Sequence, residues 1–219
     1  MKILVIAPHP DDEVLGCGGT IVKYAKQGHE VYLCIVTEAY LPDWSEEFIK
    51  QRPKEINQAA KLLGIKKTYL LGFPTVKLDV IPQKELNQAI LAVIREVKPR
   101  IVYLPHGGDI NKDHRLVFEA GLVALRPSNK TAVKKILCYE TLSETAEGRS
   151  LKEFLPGIYE DINSEFKKKI EAMKVYKSEI KKFPNARSLA MQEILAKNRG
   201  SDAGLKYAEP FMLIREIID

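Results

Sequence analysis

The sequence predicts an α/β protein: a doubly wound, mostly parallel sheet with helices on both faces and a helical C-terminal region. Two observations carry this expectation. Short apolar runs rich in β-branched residues alternate with stretches of helical periodicity through the first two-thirds of the chain, and polar residues collect directly after two of those runs. Strands that alternate with helices lie parallel, because right-handed crossovers place the helices on the sheet faces.

Each element has its own signal. KILVIA at 2–7 is a continuous apolar run, and after a helix-like stretch ending at Gly28 the same character returns in EVYLCIVT at 30–37. Residues 46–63 read as a helix with Ile49, Ile56, Ala59, Ala60 and Leu63 on one face and Gly64 as its stop, followed by a third strand, TYLLGF, at 68–73. Pro82 opens a helix whose Leu86, Ile90, Val93, Ile94 and Val97 recur at helical spacing, and Pro99 ends it before RIVYLPH at 100–106. A helix from about Asp113 to Leu125 leads to a fifth strand, KKILCYETL. Beyond Gly157, IYEDIN reads as one more strand. A helix follows with Phe166, Ile170, Met173, Tyr176, Ile180 and Phe183 as its apolar stripe and the neighbouring lysines as its solvated face, and YAEPFMLIREIID closes as a strand. With no repeat or linker in between, residues 1–219 are expected to form a single domain.

Composition bounds the function classes. With 219 residues, 45% hydrophobic and 29% charged, disorder and disulfide scaffolds are excluded. A chain this long buries roughly 70% of its unfolded surface, so a metal would be chemical rather than structural. No apolar run approaches the ~20 residues of a membrane span, and the N-terminus turns polar early, so a soluble, cytoplasmic protein is expected. Cys17, Cys34 and Cys138 form no CxxC pair and read as buried, inert thiols. The formal charge of +5 mildly favours anionic partners, but KKK at 167–169 has no aromatic stacking platform beside it, and no nucleic-acid partner is expected.

The chemistry concentrates at two strand ends. HPDDE follows the first strand with His9, Asp11, Asp12 and Glu13; PHGGDINKDHR follows the fourth with His106, Asp109, Asn111, Asp113 and His114. In a 3-2-1-4-5 strand order these strands flank the point where the order reverses, and ligands bind outside their carboxyl ends. Two histidines and one aspartate match the three protein donors of a catalytic zinc. GCGGT at 16–20 is no phosphate loop, since an acidic run precedes it and no GxxxxGK[ST] exists; close helix packing or a helix break explains its glycines.

These residues resemble a known family. APHPDDEVLGCGGTI looks like the opening signature of the LmbE-like, or PIG-L, zinc-dependent de-N-acetylases, and the resemblance continues through RPKEINQAAKLLGI, GDINKDHR and RGSDAGLKYAEPF. It implies a Rossmann-like fold and hydrolysis of an N-acetyl group on an N-acetylglucosamine-type sugar or conjugate, a small-molecule substrate. It further implies Zn2+ or another divalent metal on His9, Asp12 and His114, with Asp11 as general base, Arg52 near the substrate, and homo-oligomers. Asp113 is the next candidate base. Asn111 stands where some members carry a histidine; it can donate a hydrogen bond but cannot act as an acid, which leaves Tyr207 as an alternative donor and His106 as an alternative acid. A non-catalytic sugar- or nucleotide-binding module and a metal-dependent phosphohydrolase remain as alternatives.

Overall fold

The computed structural model describes residues 1–218 and contains one seven-stranded sheet in the order β3-β2-β1-β4-β5-β7-β6. The strands are β1 (Lys2–Ala7), β2 (Glu30–Glu38), β3 (Lys67–Pro74), β4 (Ile101–Pro105), β5 (Lys135–Tyr139), β6 (Ile158–Asp161) and β7 (Ala208–Glu216). The first five are parallel to one another in the expected 3-2-1-4-5 order, and β7 and β6 add on antiparallel beyond β5.

Six helices cover the sheet: α1 (Asp12–Lys26), α2 (Glu46–Leu63), α3 (Gln83–Val97), α4 (Lys112–Ala124), α5 (Phe166–Met173) and α6 (Leu189–Asp202). The central strands are buried along nearly their whole length and feed two apolar layers. One layer joins α1, α2 and α5 to Ile3, Val5, Leu33, Ile35, Tyr103 and Tyr139; the other joins α3 and α4 to Leu4, Ile6, Cys34, Val102, Leu104 and Cys138. All three cysteines are buried free thiols. Helix stops follow the sequence signals: Gly64 caps α2 with a left-handed φ of 79°, and Ser45 at its start accepts from the Phe48 amide at 3.2 Å.

The glycines of GCGGT allow close packing of α1. A Cβ on Gly16 would lie 2.2 Å from the Tyr139 ring, and one on Gly19 would lie 2.6 Å from Ile162. At Gly19 and Thr20 the amides are donated at 2.8 and 2.7 Å to the Glu209 carboxylate of β7, while Lys169 of α5 donates to the Leu15 carbonyl at 2.8 Å and to Glu209 at 2.7 Å. A buried acid and a buried base are thus inserted into the side of the helix that follows HPDD.

Two expectations fail in the C-terminal third. The stripe from Phe166 to Phe183 is not one helix: α5 ends at Met173, residues 174–188 run as turns, and Phe183 is exposed. Nor are all the lysines solvated, because Lys169 points inward to the Glu209 carboxylate. The turns carry Glu179 and Arg187 to the carboxyl ends of the parallel strands, which a continuous helix could not do. Helix α6, begun by Ser188 accepting from the Met191 amide, is weakly amphipathic and has little periodicity to announce it.

Candidate active site

The site forms where β1 and β4 part. The turn after β1 is tied to the end of β2, where the Thr37 amide and hydroxyl both donate to the Pro8 carbonyl at 3.0 and 2.9 Å. Asp11 then takes a φ of 115°, a conformation non-glycine residues seldom adopt. It is held there by the Glu13 carboxylate, which accepts the Asp11 amide at 3.0 Å and is itself fixed by the Tyr176 hydroxyl at 2.8 Å. Burial pushes the Glu13 carboxyl up to about 7. As a consequence the two adjacent carboxylates diverge: Asp12 turns inward and Asp11 faces the cavity.

His9, Asp12 and His114 come together with one donor atom from each within 4.8 Å of the others. Asp12 Oδ2 lies 3.3 Å from His9 Nδ1 and 3.2 Å from His114 Nε2. Each histidine has a carboxylate behind it: Asp109 Oδ2 is 2.8 Å from His114 Nδ1, and Asp113 Oδ2 is 3.0 Å from His9 Nε2. This leaves Asp12 Oδ1 buried with no hydrogen-bond partner, and His114 Nε2 buried with only the charge contact to Asp12 Oδ2, which lacks hydrogen-bond geometry. Unpaired buried polar atoms are costly, and a cation between them satisfies both. Although burial opposes both changes, the two acids hold His114 up to about 10, and the histidines hold Asp12 well below the usual carboxylate range. The donor set and its orphaned atoms fit a divalent metal.

Asp11 lies at the floor of a cavity of ≈ 320 Å³, also lined by His9, Trp44, Phe48, Arg52 and Asn111. Arg187 Nη1 donates to Asp11 Oδ2 at 2.7 Å, and the guanidinium also meets Ser143 Oγ at 3.2 Å, Glu144 at 3.3 Å and Glu179 at 3.4 Å. Burial and the charge of Asp12 push the Asp11 carboxyl well up, while Arg187 pulls it down. Asn111 caps α4: its Oδ1 accepts the Asp113 amide at 3.0 Å, so the side-chain nitrogen is left as a donor at the cavity wall. Arg52 is buried against Phe48, 4.3 Å from its ring centroid, and pairs with Glu179 and with Glu55, so it is no loose surface arginine.

Three residues singled out by sequence stand elsewhere. Asp113 does not line the cavity; its oxygens are taken by His9 Nε2 and the amides of Val76 and Leu78, so it orients a histidine instead of facing substrate as a base. Tyr207 stacks on Phe166 with centroids 4.2 Å apart and donates to Glu193, away from the cavity. His106 is buried on Phe154 with Nε2 against the Lys152 carbonyl. Conversely, Arg187, Glu179 and Glu144 were not foreseen, since nothing local in LSETAE or KSEIKKFPNARS marks them. Asp109, which backs His114, did carry a usable signal, a histidine five residues on.

The chain is 31% identical to the uncharacterized deacetylase YaiS of Escherichia coli (strain K12) over 185 residues, 80% of this chain and 90% of that one. It is 33% identical to a diacetylchitobiose deacetylase of Thermococcus kodakarensis over 134 residues, 57% of this chain and 49% of the other. The N,N'-diacetylchitobiose deacetylase of Pyrococcus horikoshii superposes with a TM-score of 0.80 at 24% identity, over 98% of this chain and 84% of that one, a likeness of fold. The GlcNAc-PI de-N-acetylase family matches residues 4–125, a span that holds both the HPDDE turn and the DH of α4. The chain therefore belongs to the PIG-L family.

Proposed function

We propose that the protein is a zinc-dependent N-deacetylase that hydrolyses the acetamido group of an N-acetylglucosamine-type sugar, releasing acetate and a free amine. The observation that carries this is the pairing of two orphaned donors, His114 Nε2 and Asp12 Oδ1, with a strained, cavity-facing carboxylate one residue away at Asp11. The names of the relatives support the same reading. Among the described residues one such donor cluster is found, which suits a single ion and disfavours a two-metal phosphohydrolase.

His9, Asp12 and His114 would hold the metal, with Asp113 and Asp109 fixing the two rings. When bound, a divalent ion supplies a Lewis acid that polarises the amide carbonyl and makes water a better nucleophile at neutral pH. Asp11 takes the proton from the attacking water as its oxygen bonds to the acetyl carbon, and returns it to the nitrogen as the C–N bond breaks. Arg187 fixes the orientation of Asp11 through its 2.7 Å contact, and the Asn111 side-chain nitrogen donates toward the developing oxyanion. Tyr207 and His106 take no part. We extend the reading to a single catalytic unit working in the cytoplasm as a homo-oligomer; three free cysteines support the reducing compartment.

Acetate release from N-acetylglucosamine, its nucleotide-linked form and diacetylchitobiose tests the reaction. Asp11→Asn is expected to keep about one metal per chain and to lose roughly 10²-fold or more in kcat. Near-normal turnover in that variant would move the base elsewhere.

A further inference from the structure

Resting on the deacetylase reading, we infer that the cavity selects N-acetylglucosaminides whose attached group is uncharged or cationic and rejects those bearing a carboxylate or phosphate beside the reacting sugar. Four acids line the cavity, Asp11, Glu38, Glu144 and Glu179, against two arginines, Arg52 and Arg187, and the metal-site His9. Neither arginine is available to an incoming anion. Arg187 already meets Asp11, Glu144 and Glu179, and Arg52 is held by Glu55, Glu179 and, at 3.1 Å, Ser178.

Glu38, at the exposed end of β2, has no ion-pair partner among the described residues and adds uncompensated negative charge to the wall. The metal site does not reverse this balance, because three carboxylates, Asp12, Asp109 and Asp113, surround its two histidines. The rest of the wall, with Trp44, Phe48 and Val76, offers aromatic and aliphatic surface to a neutral sugar face. The product amine becomes a cation once protonated, and the same wall accommodates it. A saccharide that already carries one free amino group is therefore a better candidate than a glycosyl malate or a sugar nucleotide.

The test compares kcat/KM of the metal-loaded protein for four compounds in low salt: diacetylchitobiose, its form with one free amine, N-acetylglucosaminyl malate and the uridine-diphosphate-linked sugar. The first two should exceed the last two by about tenfold or more, since like charges are driven apart at close quarters, and the gap should shrink as salt screens it. Glu38→Lys should narrow the gap further, and Glu38→Gln should do so by less. Equal or better turnover of the anionic compounds would overturn the selectivity while leaving the deacetylase reading intact. A gap indifferent to salt and to Glu38→Lys would overturn its electrostatic origin. Acetate from none of the four would sink the deacetylase reading and the selectivity with it.

Discussion

Replacing Asp109 by asparagine isolates the part of the site that holds a ligand without touching the cavity. Asp109 uses both oxygens: Oδ2 faces His114 Nδ1 at 2.8 Å, and Oδ1 accepts the Thr145 hydroxyl at 2.6 Å, with Asp109 and His114 fully buried. With an ion bound, the carboxylate keeps the proton on Nδ1 and leaves the Nε2 lone pair to the metal. Asparagine matches the shape but has one acceptor oxygen and no charge. If its oxygen faces His114, the ring keeps its tautomer but becomes a weaker donor to metal. If its nitrogen does, Nε2 becomes the protonated atom and points a hydrogen at the triad. Losing such a partner typically costs 10- to 100-fold in metal affinity, about 1.4–2.7 kcal/mol. Competition of the folded variant with a chelator of known affinity, at fixed pH, measures this directly. A dissociation constant within about threefold of the unaltered protein's, with the fold intact by circular dichroism, would refute the role given to Asp109.

Other substitutions test other links. Gly16→Ala drives a methyl into the ring of Tyr139, whose hydroxyl is committed to the Ile6 carbonyl at 2.9 Å; a loss of about 1–3 kcal/mol is expected in urea unfolding, and a change under ~0.5 kcal/mol would count against the packing argument. Lys169→Met strands Glu209 as a buried, unbalanced charge and should cost about 3–5 kcal/mol, partly recovered by adding Glu209→Gln; an additive pair would show that the two do not act together. Arg187→Met should lower kcat on the order of tenfold or more while metal content stays constant, and Arg187→Lys should not restore it, because an ammonium cannot reach Ser143, Asp11 and Glu144 at once; full activity in either variant would remove Arg187 from the mechanism.

The succession of β1 to β5 and the strand ends that hold His9, Asp11, Asp12 and His114 were legible because each rests on short-range signals, an apolar run, a proline or glycine stop, and a polar cluster directly after a strand, while the 3-2-1-4-5 order followed from the doubly wound topology. What escaped depends on how distant segments approach. The apolar spacing of Phe166 to Phe183 suggested a single helix, yet Tyr176 is buried under Glu13 while Phe183 faces solvent, a split that only the turns after Met173 produce. Lys169 read as surface because its acceptors, Leu15 and Glu209, lie 154 and 40 residues away. Asp113, the second candidate base by sequence, is turned by helical geometry toward His9.

The Glu209 carboxylate seated on the amides of Gly19 and Thr20 has a consequence for the order in which the protein matures. The three candidate metal donors, His9, Asp12 and His114, lie within the first 114 residues, but the helix that carries Asp12 is clasped by a residue of the last strand. Until that strand is made, α1 lacks the contact that seats it. If His9, Asp12 and His114 hold an ion as proposed, firm binding is expected only once β7 is made, nearly a hundred residues after His114, and a chain truncated before β7 should bind metal more weakly than the full chain.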